Sequence, residues 1–140
     1  MNTIISEMLK KASLRPTRQR LLLAGLIWSG QQPRHISAEQ LHSEAKRTGE
    51  HVSLATVYNT LHQFTDARLL HEVFVDGTRS YFDTNIDKHH HLLNIATGEL
   101  TDIAEHRMTV MPPVDLPPGL EMTSVDVIIR VRPREVVSAA

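Results

Sequence analysis

Two helix starts in close succession restrict this chain more than any other feature. The first is Ile36-Ser37-Ala38-Glu39-Gln40-Leu41. Ser37 can cap the backbone N–H of Gln40, with the Gln40 side chain reaching back as in a capping box, and Ile36 and Leu41 sit where a hydrophobic staple needs them. Ala38, Leu41, Ala45 and Thr48 continue at helical spacing until Gly49 supplies a stop. The second start follows at once, with Ser53 as cap, Val52 and Val57 as staple, and Leu54, Val57, Leu61 and Phe64 as the inward stripe. The opposite face carries Thr56, Asn59, Thr60 and Gln63, flanked by Tyr58. That face is short, polar and nearly uncharged, where an ordinary surface helix would carry Lys and Glu. It suits a groove where hydroxyls and amides meet base edges; a merely polar solvent face is the alternative. Helices at about 37–48 and 53–65 joined by a short turn have helix-turn-helix spacing.

The flanks extend this motif into a domain. Ile4, Ile5, Met8, Leu9 and Ala12 fall on one stripe of an opening helix. Arg15-Pro16 interrupts it, and Thr17 caps a second helix running to about Trp28, with Leu22, Leu23, Leu26 and Ile27 inward. Leu69 to Val75 and Arg79 to Asp83 read as strands around the turn Asp76-Gly77-Thr78. Helices followed by a hairpin make a winged helix, with Arg79 on the wing able to meet a phosphate. Trp28 and Met8 are expected in the core. His42, His51, His62 and His71 read as lone surface histidines.

Lys88-His89-His90-His91 stands where this head gives way to a strand-rich tail. If the run is a strand, His89 and His91 share one face and His90 takes the other. Two imidazoles on one face are half of a metal site; a solvated cluster at a domain junction is the alternative. Leu92 to Ala96 and Glu99 to Ile103 flank Thr97-Gly98 as a second hairpin. Pro112, Pro113, Pro117 and Pro118 forbid a long helix between Ala104 and Leu120, leaving irregular chain with one short helical turn. Ser124 to Arg132 alternates as a strand, with Val125, Val127, Ile129 and Val131 on one side, and the chain after Pro133 is expected to fray.

Charge and composition narrow the function. Lys10, Lys11, Arg15, Arg18 and Arg20 oppose Glu7 alone in residues 1–20, whereas residues 85–140 hold 5 basic against 8 acidic groups. A basic head on an acidic tail suits a polyanion partner for the head only. The 140 residues include no cysteine, which excludes disulfides, thiolate-bound zinc and thiol catalysis. No apolar run approaches the ~20 residues of a membrane span, and Met1 to Lys11 does not read as a signal peptide. The expectation is a soluble cytoplasmic protein with no membrane partner.

Four motifs together resemble the ferric uptake regulator family of metal-dependent transcription factors. They are Leu14-Arg15-Pro16-Thr17-Arg18-Gln19-Arg20, His35-Ile36-Ser37-Ala38-Glu39-Gln40-Leu41, Ser53-Leu54-Ala55-Thr56-Val57-Tyr58 and His89-His90-His91-Leu92. The cysteine-free tail, the triple histidine and Val125-Asp126-Val127-Ile128-Ile129-Arg130 resemble its iron-response regulator branch. The resemblance implies an α+β chain: a winged-helix DNA-binding domain over residues 1–84, then a small α/β dimerisation and metal-sensing domain over 85–140. It further implies a homodimer that represses or otherwise regulates genes of iron and haem metabolism through AT-rich inverted-repeat operators, reading iron status through haem as well as a divalent metal.

Motif by motif, the resemblance implies metal ligands at His35, Asp83, His89, His91 and Asp102, with Asp83 and Asp102 standing where Glu is usual. Three imidazoles and two carboxylates suit Fe²⁺, Mn²⁺ or Zn²⁺, the oxygen donors favouring manganese and iron. Haem would draw on His89, His90 and His91. Lys88 stands where the family's second site begins with His, leaving His90 and His106 as its remnant, and Asn59 replaces the family's arginine after the recognition tyrosine. Asparagine favours adenine. Tyr58 and Asn59 are expected to touch bases, helped by Thr56 and Gln63, with Arg15, Arg18, Arg20 and Arg79 on phosphate or in the minor groove. Two rivals follow from the same residues: a small metalloenzyme using the His-x-His cluster with a later Asp and His106, and a haem sensor with no DNA role. No base or nucleophile stands at motif spacing, so the expectation is a regulator and not an enzyme.

Overall fold

The computed structural model describes residues 2–30, 32–87, 89–111 and 115–135. Lys88, Pro112 and Pro113, and the end of the tail at 136–140, lie outside the described residues. The chain divides into two units, Met1–Ile86 and Asp87–Ala140.

In the first unit, helices α1 (Asn2–Lys11), α2 (Arg18–Ile27), α3 (Ala38–Arg47) and α4 (Leu54–Asp66) pack with strands β1 (His35–Ile36), β2 (His71–Asp76) and β3 (Arg79–Asp83). The three later helices begin at side-chain caps: Thr17 accepts from Arg20 N, Ser37 from Gln40 N and Ser53 from Thr56 N. Each cap satisfies an amide that the first helical turn leaves unbonded. Leu9, Leu23, Ile27, Ile36, Leu41, Val57, Leu61, Phe64 and Phe82 are fully or almost fully buried. Burying one such side chain stabilises by about 1.5–3 kcal/mol. Trp28 packs its ring on Phe64 at 5.6 Å between centroids, and Met8 lies partly buried at the edge of the same core.

The stripes differ from the sequence expectation at their margins. Ile4 is 74% exposed and Leu54 37% exposed. Ile5 and Leu9, one turn apart, set the centre of the buried stripe of α1, and Ile4 falls outside it. Leu54 is the first residue of α4, ahead of the turn that meets the core. Thr60, expected on the polar face, is instead buried, because it lies three residues after Val57 and so shares its side of the helix. In α2, Ala24 is buried where Leu22 is only half-buried, and Thr48 is an exposed C-cap, not a core residue.

The wing forms as a hairpin, β2 pairing with β3 antiparallel. Its turn is held by Asp76 Oδ1, which accepts from Thr78 N, Thr78 Oγ1 and Arg79 N. Strand β1 was not expected. It adds to the outer side of β3, giving the order β1-β3-β2, with His35 opposite Asp83 and Ile36 opposite Phe82.

In the second unit, β4 (His89–Asn94) lies between β5 (Leu100–Ala104), antiparallel, and β6 (Ile128–Val131), parallel. Gly98 takes a φ of +78° in the turn, which a residue without Cβ adopts without strain. A single 3-10 turn, Glu105–Arg107, follows β5. Strand β6 is shorter than the alternation from Ser124 suggests. Its register sets Ile128 opposite His91, so Ser124 would fall opposite Asp87, before β4 begins. Ile129 and Val131 are 38% and 37% exposed, so their shared face is not covered by the described chain. Among the described residues, no helix is long and apolar enough to cross a membrane.

Candidate metal donors and nucleic-acid interface

The donors of the first unit owe their meeting to strand register. β1 beside β3 sets His35 against Asp83, and His35 Nε2 lies 3.0 Å from Asp83 Oδ2. The Asp83 side chain is fully buried and that of His35 is 14% exposed. Asp83 Oδ1 accepts from Asn85 N at 2.8 Å, which fixes the carboxylate plane. The short β1 is pinned from its other end by Arg34. Its backbone exchanges bonds with Thr84, and its guanidinium reaches Leu26 O and both oxygens of Glu44. Arg34, Glu44 and Thr84 were missed from the sequence, since neither spacing nor motif marks a two-residue strand.

The donors of the second unit follow from strand alternation. His89 and His91 share a face of β4, their rings 4.5 Å apart, and Asp102 on β5 stands directly opposite His91. Asp102 Oδ1 lies 3.1 Å from His89 Nε2 and 3.4 Å from His91 Nε2. The histidine side chains are 4% and 1% exposed, that of Asp102 27%. His89 Nδ1 also contacts the Asp87 carbonyl. Imidazole nitrogens and carboxylate oxygens are the donors that a borderline or hard divalent ion takes, so the donor set fits a metal ion. His90 faces the other way, half-buried opposite Ile103, and its Nδ1 is buried without a hydrogen-bond partner among the described residues. His106 sits exposed in the 3-10 turn.

Of the residues expected at nucleic acid, Arg20, Thr56, Asn59 and Gln63 come together between the start of α2 and the outer face of α4, and Arg79 stands apart on the wing. Arg20, Thr56, Asn59, Thr60 and Gln63 line an open polar cleft of about 310 Å³ with Thr17. Gln63 Oε1 accepts from Arg20 Nε and Nη2 at 3.2 and 3.0 Å, and Arg20 Nη1 donates to the Arg15 carbonyl at 2.9 Å. A guanidinium has five N–H groups, so Arg20 keeps two for an outside acceptor. Arg18 forks onto both oxygens of Glu50 at 2.9 and 3.0 Å. Arg79 on the wing lies 3.5 Å from Asp76. Thr56 Oγ1 accepts from the Ser53 hydroxyl. Tyr58 donates its hydroxyl to Glu39 Oε1 at 2.6 Å. That bond holds the Glu39 carboxyl below the usual carboxylate range and raises the Tyr58 phenol above its ordinary value. From sequence, Glu39, Glu50 and Asp76 were not marked as the partners of Tyr58, Arg18 and Arg79.

Residues 11–127 match the ferric uptake regulator family. The ferric uptake regulation protein of Vibrio anguillarum is 36% identical over 103 residues, covering 71% of this chain and 67% of that protein. That of Escherichia coli K12 is 35% identical over 100 residues, 69% of this chain and 66% of its own length. The chain thus spans about two thirds of these relatives. Among solved structures, the Pseudomonas aeruginosa ferric uptake regulator with manganese superposes with a TM-score of 0.69 at 27% identity, covering 94% of this chain and 99% of that one. The Vibrio cholerae regulator, described by rearrangement of its DNA-binding domains, gives 0.67 at 26% identity, covering 91% and 98%. With that match over residues 11–127 and relatives of this identity, the chain belongs to the ferric uptake regulator family.

Proposed function

We propose that this chain regulates iron and haem genes, binding AT-rich inverted-repeat operators as a homodimer, as in the iron-response regulator branch. Members of its family are metal-responsive transcription regulators and not enzymes. The observation that carries the proposal is the distribution of donors. His35 and Asp83 belong to the unit with the helix-turn-helix, and His89, His91 and Asp102 to the other. One divalent ion taking donors from both units would tie the state of one to the state of the other. Manganese and iron are favoured by the carboxylate oxygens, and the P. aeruginosa relative carries manganese. When bound, an ion would supply a fixed positive charge for these imidazoles and carboxylates to hold. The chain's own part is to present them: β-register sets Asp83 against His35 and Asp102 against His91, and burial shields Asp83, His89 and His91 from water.

In this reading Tyr58 and Asn59 meet base edges. Thr56 and Gln63 stand beside them, Gln63 chiefly by holding Arg20. Arg15, Arg18, Arg20 and Arg79 meet phosphate, Arg18 and Arg79 by exchanging a carboxylate for it. The homodimer is supported by apolar side chains left exposed on the second unit, among them Leu120, Met122 and Ile129. The haem response is supported by the triple histidine, where the His90 Nδ1 lacks a partner among the described residues.

Fluorescence anisotropy with an AT-rich duplex at two salt concentrations tests the core of this reading, with Mn²⁺ present and after chelation. The expected result is a salt-dependent affinity that also changes on chelation. Binding that ignores chelation, or no binding at all, counts against it. The haem arm is tested by titrating haem and following its Soret band, which His90→Ala should diminish.

A further inference from the structure

Tyr58 does not stand on α4 with a free hydroxyl. Its ring is partly buried against the core of the first unit, and the His62 ring lies beside it at 6.3 Å. Its hydroxyl donates a hydrogen bond to Glu39, in the first turn of α3, at 2.6 Å. We infer that Glu39 is a positioning residue that sets the hydrogen-bonding polarity of Tyr58, so that the pair selects an amino-bearing base, adenine or cytosine, over a carbonyl-bearing one. The inference rests on the reading of α4 as the helix that enters the major groove.

The argument is one of counting donors. A phenol has one O–H and two lone pairs. With the O–H committed to the carboxylate, only acceptor sites remain on the oxygen. Glu39 is itself acceptor-only when ionised, and its second oxygen points the pair further in that direction. The N-terminal turn of a helix favours the ionised carboxylate there. The low Glu39 and high Tyr58 ionisation keep the proton on the phenol through the neutral range. In the major groove the donors are the adenine N6 and cytosine N4 amino groups, while guanine offers O6 and N7 and thymine O4, all acceptors. An acceptor pair meets the first kind and repels the second. Without the carboxylate, the hydroxyl would rotate to donate or accept as the base required, and the selection would fade.

The test uses the full chain with Mn²⁺. Duplexes are selected from a randomised pool by the wild type, and the base whose identity ceases to matter in Tyr58→Phe marks the contact. At that position adenine is replaced by the unsubstituted purine nucleoside, which lacks the amino group, and by guanine. The wild type should lose about 3- to 10-fold for each replacement, the worth of one hydrogen bond. In Glu39→Gln the guanine penalty should shrink by about the same factor, since an amide can donate to the phenol oxygen and release its proton. In a Tyr58→Phe background, Glu39→Gln should change nothing. Independently of DNA, ¹³C-tyrosine NMR, with Tyr81→Phe assigning the two tyrosines, should show the Tyr58 hydroxyl ionising at lower pH in Glu39→Gln than in wild type. Unchanged base preference in Glu39→Gln, with wild-type selection intact, overturns the inference and leaves the regulator reading standing. An unmoved Tyr58 ionisation overturns it as well. Failure of the wild type to enrich any duplex overturns both.

Discussion

Asp83 has the least freedom of the five proposed ligands. Its side chain is fully buried, one oxygen takes the Asn85 amide and the other faces His35 at 3.0 Å. A buried carboxylate with both oxygens engaged is costly to alter on either side. Asp83→Asn keeps the volume but puts an amide N–H₂ where one oxygen accepted a bond. We expect a loss of about 1–3 kcal/mol of stability in urea unfolding, the cost of leaving one buried partner unsatisfied. We also expect Mn²⁺ affinity by calorimetry to fall at least about tenfold, since an amide is a poor substitute for a carboxylate on a hard ion. Stability lost with metal affinity retained would make Asp83 a structural partner of His35 and nothing more. His35 and Asp83 were legible as candidates only through their motifs. Their direct pairing was not, because it depends on β1, two residues long, which has no periodicity to read.

At the scale of elements, capping chemistry was the most readable signal. Thr17, Ser37 and Ser53 each cap the helix that their sequence context marks, because a cap is a local bond between neighbours three residues apart. The hairpin turns at Gly77 and Gly98 were readable for the same reason. Stripe margins were not, since which of two neighbouring apolar residues is buried depends on the element it meets. Leu54 and Phe64 both belong to α4 and both read as core, yet the first is 37% exposed and the second fully buried on Trp28. The two should therefore part in denaturation experiments. Phe64→Ala should cost about 3–5 kcal/mol, whereas Leu54→Ala, near the helix start and away from the core, should stay within about 0.5 kcal/mol. Equal losses would mean that the face of α4 is misassigned. The start of β6 illustrates the reverse limit: alternation from Ser124 is real, but a strand persists only where a neighbour pairs with it; Ser124 falls opposite Asp87, before β4, and regular pairing begins only at Ile128 opposite His91.

Across the whole molecule, the regulator reading demands that metal and DNA be coupled although their residues differ. Tyr58, Asn59 and Arg20 hold none of the proposed metal donors, and His89, His91 and Asp102 lie in a unit with none of the proposed DNA contacts. Coupling between distinct sites is a free energy, typically about 1–3 kcal/mol, or roughly 5- to 150-fold in affinity. If one ion draws donors from both units, removing a donor from either should be equivalent to removing the ion. His35→Ala, His91→Ala and chelation of the wild type should thus shift operator affinity in the same direction and by similar factors. The double variant should shift it no further than either single one, because the ion is already lost. Circular dichroism of each variant without DNA checks that the helices persist. Anisotropy against the selected duplex then measures the five affinities (wild type with and without metal, each single variant and the double variant) at one salt concentration, since phosphate contacts make comparison across salts meaningless. Shifts of opposite sign for the two histidines, or additive shifts in the double variant, would mean that each unit uses its donors separately, and the His35–Asp83 pair would then stand as a structural bond of the winged helix alone.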